Sequence, residues 1–197
     1  MKNHETSGVV LASSSPYRRE LLGRILSRFE CVAPADDEET RPGETPPARS
    51  LRLARLKAAR IAGRYPRATV IGSDQVAVLE GRVCGKPGSR RRAIDQLLTA
   101  RGLPMRFLTS VCVLHGADGD ERVHTDVTEV RFRQFDRALA ERCVDADRSW
   151  DCAGGFKVEG SGIVLLDHIE SQDPTGLVGL PLIWLAATLE DLGVPLL

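Results

Sequence analysis

The sequence predicts an α/β protein with a mixed central β-sheet flanked by helices. Short apolar runs such as Val9–Ala12 and Ala68–Gly72 have the length and composition of buried strands. Apolar residues recur at helical spacing in the segments between such runs, for example from Leu51 to Ile61. The two kinds of segment alternate along the chain without an internal repeat or a linker. A chain of 197 residues has the size of one domain.

Capping and turn residues place the individual elements. Ser15 followed by Pro16 starts a first helix, whose apolar positions continue to Phe29. Glu80-Gly81 marks the turn of a hairpin between Gln75 and Lys86. Asp136 opens a further helix. Two further helices are predicted at 89–102 and 181–193, and three strands at 106–115, 121–133 and 163–166. A glycine-rich loop is predicted at 154–162 and an acidic loop at 33–47.

Composition limits the classes of protein that the chain can represent. Lysine plus arginine and aspartate plus glutamate number 27 each, which argues against a nucleic-acid coat or a membrane-surface role. Five widely spaced cysteines form no C-x-x-C pair and predict reduced thiols in a cytoplasmic protein. No apolar run reaches the length of a membrane span. We therefore expect a polar tail at 1–7, a single domain at 8–197, and neither membrane nor nucleic acid as a partner.

Two segments have the residue types of a phosphate site. Ser13-Ser14-Ser15-Pro16-Tyr17-Arg18-Arg19 combines hydroxyls, a helix start and arginines, all of which bind anions. Gly85-Lys86-Pro87 holds a lysine rigidly after the predicted hairpin. The alternative for the first segment is a capped helix with solvated arginines, and the second is weak on its own. The first segment is not a P-loop, because the glycines and the terminal Gly-Lys-Ser/Thr are missing.

Asp74 is the candidate for the reacting centre. It follows an apolar run, and we expect it at or just past the end of that strand, where ligands bind in open α/β sheets. The acidic residues 36–39 supply further carboxylates, and one or two carboxylates together with substrate phosphates is the usual way of holding Mg²⁺. An Asx-turn at Asp74 and a solvated acidic loop are the alternatives.

Seven segments in order make the chain similar to the Maf family of house-cleaning nucleotide pyrophosphatases. The resemblance extends from Val10 to Leu192. The segments are Leu11–Leu22, Asp37-Glu38, Lys57-Ala58, Ile71–Asp74, Gly85–Pro87, Cys152–Gly160, and Asp173–Thr175 with Val178–Leu182.

The resemblance implies a fold, a reaction and a set of site residues. The fold is the two-lobed Maf/inosine-triphosphatase-like fold with a cleft. The reaction is hydrolysis of a nucleoside triphosphate to a monophosphate and diphosphate, assisted by a divalent metal such as Mg, Mn or Co, in an enzyme that forms a homodimer. Asp74 matches the residue that accepts the proton in catalysis. Asp74 and Glu38 together match the residues that hold the metal. Four residues match phosphate-binding positions, namely Ser13, Arg18, Lys57 and Lys86.

Three positions match the branch of the family that acts on 7-methyl-GTP, namely Tyr17, Gln75 and Glu159. An aromatic face attracts the positively charged 7-methylguanine, and Tyr17 supplies one. The carboxylate of Glu159 would accept from the N1–H and N2–H₂ edge of guanine, a donor pair that pyrimidines lack. The chain departs from the branch in having tyrosine where tryptophan is usual. It departs from the family in Ala100-Arg101-Gly102 and Thr109-Ser110, which puts loop geometry in doubt.

Three other functions remain as alternatives. The first is a pyrophosphatase for dTTP, UTP or other noncanonical nucleotides. The second is a non-enzymatic regulator of septum formation, which would keep its effect in an Asp74→Asn variant. The third is a nucleic-acid-binding module on the arginine-rich second helix, which zero net charge and 5% aromatic residues disfavour.

Overall fold

The structure is a computed structural model that describes residues 8–35, 39–116 and 119–197. The predicted tail at 1–7 and the acidic residues 36–38 therefore lie outside the described residues. The strands of the described ranges are β1 (Val9–Ala12), β2 (Glu30–Cys31), β3 (Thr69–Leu79), β4 (Arg82–Cys84), β5 (Pro104–His115), β6 (Asp120–Phe132) and β7 (Leu166–Glu170). The helices are α1 (Pro16–Leu22), α2 (Pro46–Ala62), α3 (Arg90–Ala100), α4 (Arg137–Asp147) and α5 (Leu182–Asp191).

The strands form one mixed sheet in the order β2-β1-β3-β5-β6-β7, with β4 paired to the distal part of β3. β1 runs parallel to both β2 and β3, while the pairs β3–β5, β5–β6 and β6–β7 are antiparallel. The predicted α/β class with a mixed sheet flanked by helices is confirmed. The predicted hairpin is confirmed as β3–β4, and Glu80 and Gly81 both have the positive φ that a two-residue hairpin turn favours.

Two predicted elements differ from the structure, and one strand was not predicted. α1 ends at Leu22 before Gly23, although Leu26 and Phe29 still pack into the core through the turns that follow. The short strand β2 was not predicted. The strand predicted at 163–166 begins only at Leu166, because residues 161–165 form a 3₁₀ turn. The carboxylate of Asp147, the last residue of α4, accepts hydrogen bonds from the backbone N–H groups of Ser161 and Gly162 and holds that turn.

The buried apolar residues divide into three clusters that account for two lobes. Two clusters lie over the β1 half of the sheet, one including Ala54, Ala58 and Ile61 of α2 and the other Leu185 and Leu189 of α5. The third is built from the far end of β3, from β5 and β6, and from α3 and α4. A cleft opens where the first two clusters meet the third.

Gly72 sets the distance between α2 and the sheet. A Cβ atom at Gly72 would stand 2.6 Å from the backbone nitrogen of Ala58, and it would also collide with the carbonyl oxygen of Ala54. Contacts that short do not occur between ordinary side chains and backbone, so α2 packs this closely only because residue 72 is glycine. The close packing brings Lys57 of α2 over Asp74 of β3.

Two further sequence predictions can be compared with the fold. None of the helices in the described ranges is both long and apolar enough to cross a membrane. All five cysteines are free thiols, as their spacing predicted.

Candidate active site

A cleft of about 460 Å³ lies between the lobes and contains the described residues that the sequence singled out. Its walls come from residues 13–15 after β1, from α1 and α2, from β3, β4 and β5, and from the segments 151–153, 156–159 and 177–179. Eight predicted site residues line it: Ser13, Tyr17, Arg18, Lys57, Asp74, Gln75, Lys86 and Glu159. The ninth, Glu38, lies outside the described residues.

Asp74 lies in the middle of β3, so the expectation that it ends a strand is wrong. β3 continues to Leu79 because β4 extends the sheet beyond it. On one edge, β1 pairs with residues 69–72 of β3 and β4 pairs with residues 77–79. Residues 73–76 lie in the interval between these two pairings. Because β1 ends before this interval, the side chain of Asp74 faces the cleft even though the residue lies in the middle of its strand.

Asp74 forms a buried ion pair with Lys57. The Nζ atom of Lys57 donates to Oδ1 of Asp74 over 2.7 Å, and the two side chains are 8% and 9% exposed. Ion pairs this buried are expensive to break, because either partner alone would leave an uncompensated charge; the cost is about 3–5 kcal/mol. The pair thus fixes the Asp74 carboxylate at the wall of the cleft.

The opposite face of β3 holds a backbone segment, residues 175–180, which we call the carbonyl loop. Side chains alternate along a strand, so Ser73 and Gln75 point away from Asp74. The Ser73 hydroxyl donates to the carbonyl oxygen of Gly179 over 2.9 Å. The amide nitrogen of Gln75 lies 3.1 Å and 2.9 Å from the carbonyl oxygens of Gly176 and Leu177. β3 therefore positions the carbonyl loop against the cleft.

Arg18 is oriented by that loop. Its Nε donates to the Gly179 carbonyl over 2.9 Å, and Nη1 lies 3.5 Å from the hydroxyl of Ser13. Ser13 is buried and also accepts a hydrogen bond from the backbone N–H of Ser15. The guanidinium is thus held at the cleft by its Nε, and a planar guanidinium has the donor geometry that suits a phosphate.

Asp173 and Thr175 tie the carbonyl loop to the start of α5. The carboxylate of Asp173 accepts from the N–H and hydroxyl of Thr175 and from the N–H of Ile183 in the first turn of α5. The Thr175 hydroxyl in turn accepts from the N–H of Leu182. A helix start needs such acceptors for its first N–H groups. The Asp173-Pro174-Thr175 motif therefore caps the first turn of α5 and thereby fixes the position of the carbonyl loop.

Asp126 lies beside the carbonyl loop, since a Cβ atom at Gly176 would collide with its carboxylate oxygen Oδ2. Burial, together with the neighbouring carboxylate of Asp173, raises the pKa of Asp126 above its ordinary value. A raised folded-state pKa means that the wild type loses stability as pH rises from the unfolded pKa through the folded one. We expect Asp126→Asn to increase the free energy of unfolding at pH 8 but not at pH 3. Urea unfolding at both values checks this, and an equal effect at both would contradict it.

The other end of the cleft is built around Tyr17. Nζ of Lys157 lies 5.1 Å from the centre of the Tyr17 ring, and the thiol of Cys152 lies 3.9 Å from its hydroxyl. Burial raises the pKa of Tyr17, and burial raises the pKa of Cys152 to about 12. Cys152 is therefore a thiol at neutral pH and unsuited to nucleophilic attack. Glu159 is exposed at the wall beside this group.

Sequence reasoning found the side chains of the cleft but missed the backbone that orients them. The carbonyl oxygen of Gly179 accepts hydrogen bonds from both Ser73 and Arg18. The residue type of a glycine does not indicate that its backbone carbonyl has this role. Lys157 was noted only as part of the segment Cys152–Gly160, whereas the structure places its ammonium on Tyr17. The one sequence signal for this backbone was the pair of segments Asp173–Thr175 and Val178–Leu182. Both belong to the family resemblance, but no role was assigned to them.

The cleft combines cationic side chains, a buried carboxylate and an aromatic ring, and comparison with known sequences gives the family. The chain belongs to the Maf family: the profile for Maf-like proteins matches residues 8–192. The resemblance inferred from the seven segments is thereby confirmed.

Relatives span nearly the whole chain. A protein from Xanthomonas axonopodis pv. citri, named 7-methyl-GTP pyrophosphatase, is 51% identical over 94% of this chain and 96% of its own. Proteins of the same name from Pseudomonas aeruginosa and Cupriavidus metallidurans are 48% and 44% identical. They cover 94% and 99% of this chain, and 97% and 98% of their own. The Ham1 protein of Staphylococcus aureus superposes with a TM-score of 0.45 at 20% identity, over 64% of this chain and 71% of that one.

Proposed function

We propose that this protein hydrolyses 7-methyl-GTP to 7-methyl-GMP and diphosphate. The observation that carries the proposal is one cleft with two unlike ends. One end has a buried carboxylate, Asp74, paired with Lys57, and the cation Arg18 lines the same cleft. The other has an aromatic ring and a carboxylate, Tyr17 and Glu159. The relatives that bear this name at 44–51% identity support the same substrate.

The Asp74 end suits hydrolysis of a phosphoanhydride. A water molecule that attacks phosphorus must lose a proton, and Asp74 is the carboxylate placed to accept it. The bond that breaks joins the α- and β-phosphates, so negative charge leaves on diphosphate. Arg18 and Lys86 line the cleft and would bind that charge, most strongly in the transition state.

A divalent metal is part of the proposal. No group of three His, Cys, Asp or Glu side chains suited to a metal occurs among the residues that the structure describes. Asp74 instead fits the mode in which one or two carboxylates and the substrate phosphates share the ion. Asp74 and Glu38 would hold it. When bound, the ion would neutralise charge on the phosphates and lower the pKa of bound water.

The Tyr17 end would bind the base. The phenol ring offers a face to a positively charged 7-methylguanine. Glu159 would accept from the N1–H and N2–H₂ groups of guanine. We assign Gln75 a different part, because its amide nitrogen contacts the carbonyls of Gly176 and Leu177. It would influence the base by positioning the carbonyl loop. The homodimer and the cytoplasmic location remain predictions.

Glu159→Gln tests the base assignment. We expect kcat/KM for 7-methyl-GTP, relative to that for UTP, to fall about tenfold or more, because a hydrogen bond to a charged group contributes about 1.5–3 kcal/mol. Diphosphate release from both nucleotides measures this. Glu190→Gln makes the same change at an exposed residue outside the cleft and should leave the ratio unchanged. An unaltered ratio in Glu159→Gln would remove Glu159 from base recognition.

A further inference from the structure

The ammonium of Lys157 occupies the neighbourhood in which the base is expected to stack. Its Nζ lies 5.1 Å from the centre of the Tyr17 ring, close enough for a cation–π contact. The same nitrogen donates to the carbonyl oxygen of Asp147 over 2.7 Å. Asp147 is the last residue of α4, and the carbonyl end of a helix carries partial negative charge. Two favourable contacts therefore hold the Lys157 charge on the ring.

The backbone around Lys157 fixes this position. Phe156 is buried edge-to-face against Phe107 and Phe132, so the residue preceding Lys157 is anchored in the core. On the other side, the backbone of Lys157 packs closely on Gly162, where a Cβ atom would stand 3.0 Å from the Lys157 nitrogen. Lys157 thus belongs to a rigid wall of the cleft, two residues before Glu159.

We propose that Lys157 is a specificity-determining residue that weakens the preference of the cleft for a cationic base over a neutral one. The inference rests on the proposed function, since it takes the base to stack on Tyr17. 7-Methylguanine and guanine differ by one methyl group and one positive charge. A fixed positive charge on the same ring repels the first base and leaves the second nearly unaffected.

Lys157 disfavours the cationic base on whichever face of the Tyr17 ring the base stacks. If the base stacks on the face opposite Lys157, two cations flank one ring and repel each other. If the base displaces the ammonium, the displacement costs both bases equally, and only the methylated base still feels the nearby charge. Lys157 balances the acidic side chains of Asp151 and Glu159 in the same wall, so its removal also leaves that wall more attractive to a cation.

Kinetics with 7-methyl-GTP and GTP test the proposal. We expect Lys157→Met to raise the ratio of kcat/KM for 7-methyl-GTP over GTP by roughly three- to tenfold, the range for one screened charge at such a distance. Lys157→Arg keeps the charge and should keep the wild-type ratio. A ratio that stays constant or falls in Lys157→Met would overturn the proposal.

A binding measurement separates this inference from the proposed function. Calorimetry with 7-methyl-GMP and GMP gives the same ratio without requiring hydrolysis, and Lys157→Gln serves as a second uncharged variant if Lys157→Met unfolds. We expect both uncharged variants to favour 7-methyl-GMP more than the wild type does, and an unchanged preference would overturn the inference. The proposed function fails instead on the wild type alone, if it releases no diphosphate from 7-methyl-GTP.

Discussion

Asp74→Asn is expected to lower kcat for every nucleotide substrate by about 10²- to 10⁴-fold, the contribution of a well-placed general base. Asparagine has the shape of aspartate but accepts no proton and binds a cation poorly. The loss should be equal for 7-methyl-GTP, GTP and UTP, because Asp74 lies at the phosphate end of the cleft and not at the Tyr17 end. Diphosphate release under saturating nucleotide measures it.

The control must separate lost chemistry from lost stability. Asp74→Asn leaves the ammonium of Lys57 buried without its carboxylate partner, which destabilises the fold. The double variant Lys57→Met with Asp74→Asn removes both charges, so we expect its Tm to recover toward that of the wild type while its activity stays lost. Recovery of activity in the double variant would show that Asp74 acts only through the ion pair.

Gly72→Ala is expected to reduce the free energy of unfolding by about 3 kcal/mol or more. The new methyl group would collide with the backbone of α2 at Ala54 and Ala58, and backbone in a packed helix cannot yield as a side chain does. α2 must then move away from β3 and carry Lys57 from Asp74. Activity should therefore fall together with stability. Urea unfolding and diphosphate release measure the two effects.

Gly63→Ala is the matched control for Gly72→Ala. Gly63 lies directly after α2, has a φ of −60°, and has nothing within 4 Å of the place where a Cβ would stand. The same substitution there should leave stability and activity close to those of the wild type. Equal stability of the two variants would contradict the close packing of α2 on β3.

Much of this arrangement could be predicted from local patterns. Apolar runs predicted β1 and the first part of β3, and Ser15, Ser89 and Asp136 stand at the starts of three helices as predicted. The candidate site residues were located because serines, arginines, lysines and carboxylates cluster in a few short motifs. These features are local in sequence, and local physical chemistry decides them.

Other features depended on distant contacts. Asp74 appeared to end a strand because Ser73-Asp74-Gln75 interrupts the apolar pattern, whereas β5 pairs with β3 along its whole length and keeps it extended. Residues 163–165 have the composition of a strand, but they belong to the 3₁₀ turn at 161–165, which the carboxylate of Asp147 fixes through the N–H groups of Ser161 and Gly162. The Gly179 carbonyl that orients Arg18 lies 161 residues away in the chain. No local pattern encodes such pairings.

The central claim is that the Asp74 cleft hydrolyses a triphosphate chosen by the charge and hydrogen-bonding edge of its base. The most direct test is diphosphate release by the wild type from a panel of 7-methyl-GTP, GTP, dTTP and UTP with a divalent metal. We predict the highest kcat/KM for 7-methyl-GTP, with 7-methyl-GMP and diphosphate formed in equal amounts. A preference for dTTP or UTP would contradict the assignment of Tyr17 and Glu159 to a methylated guanine.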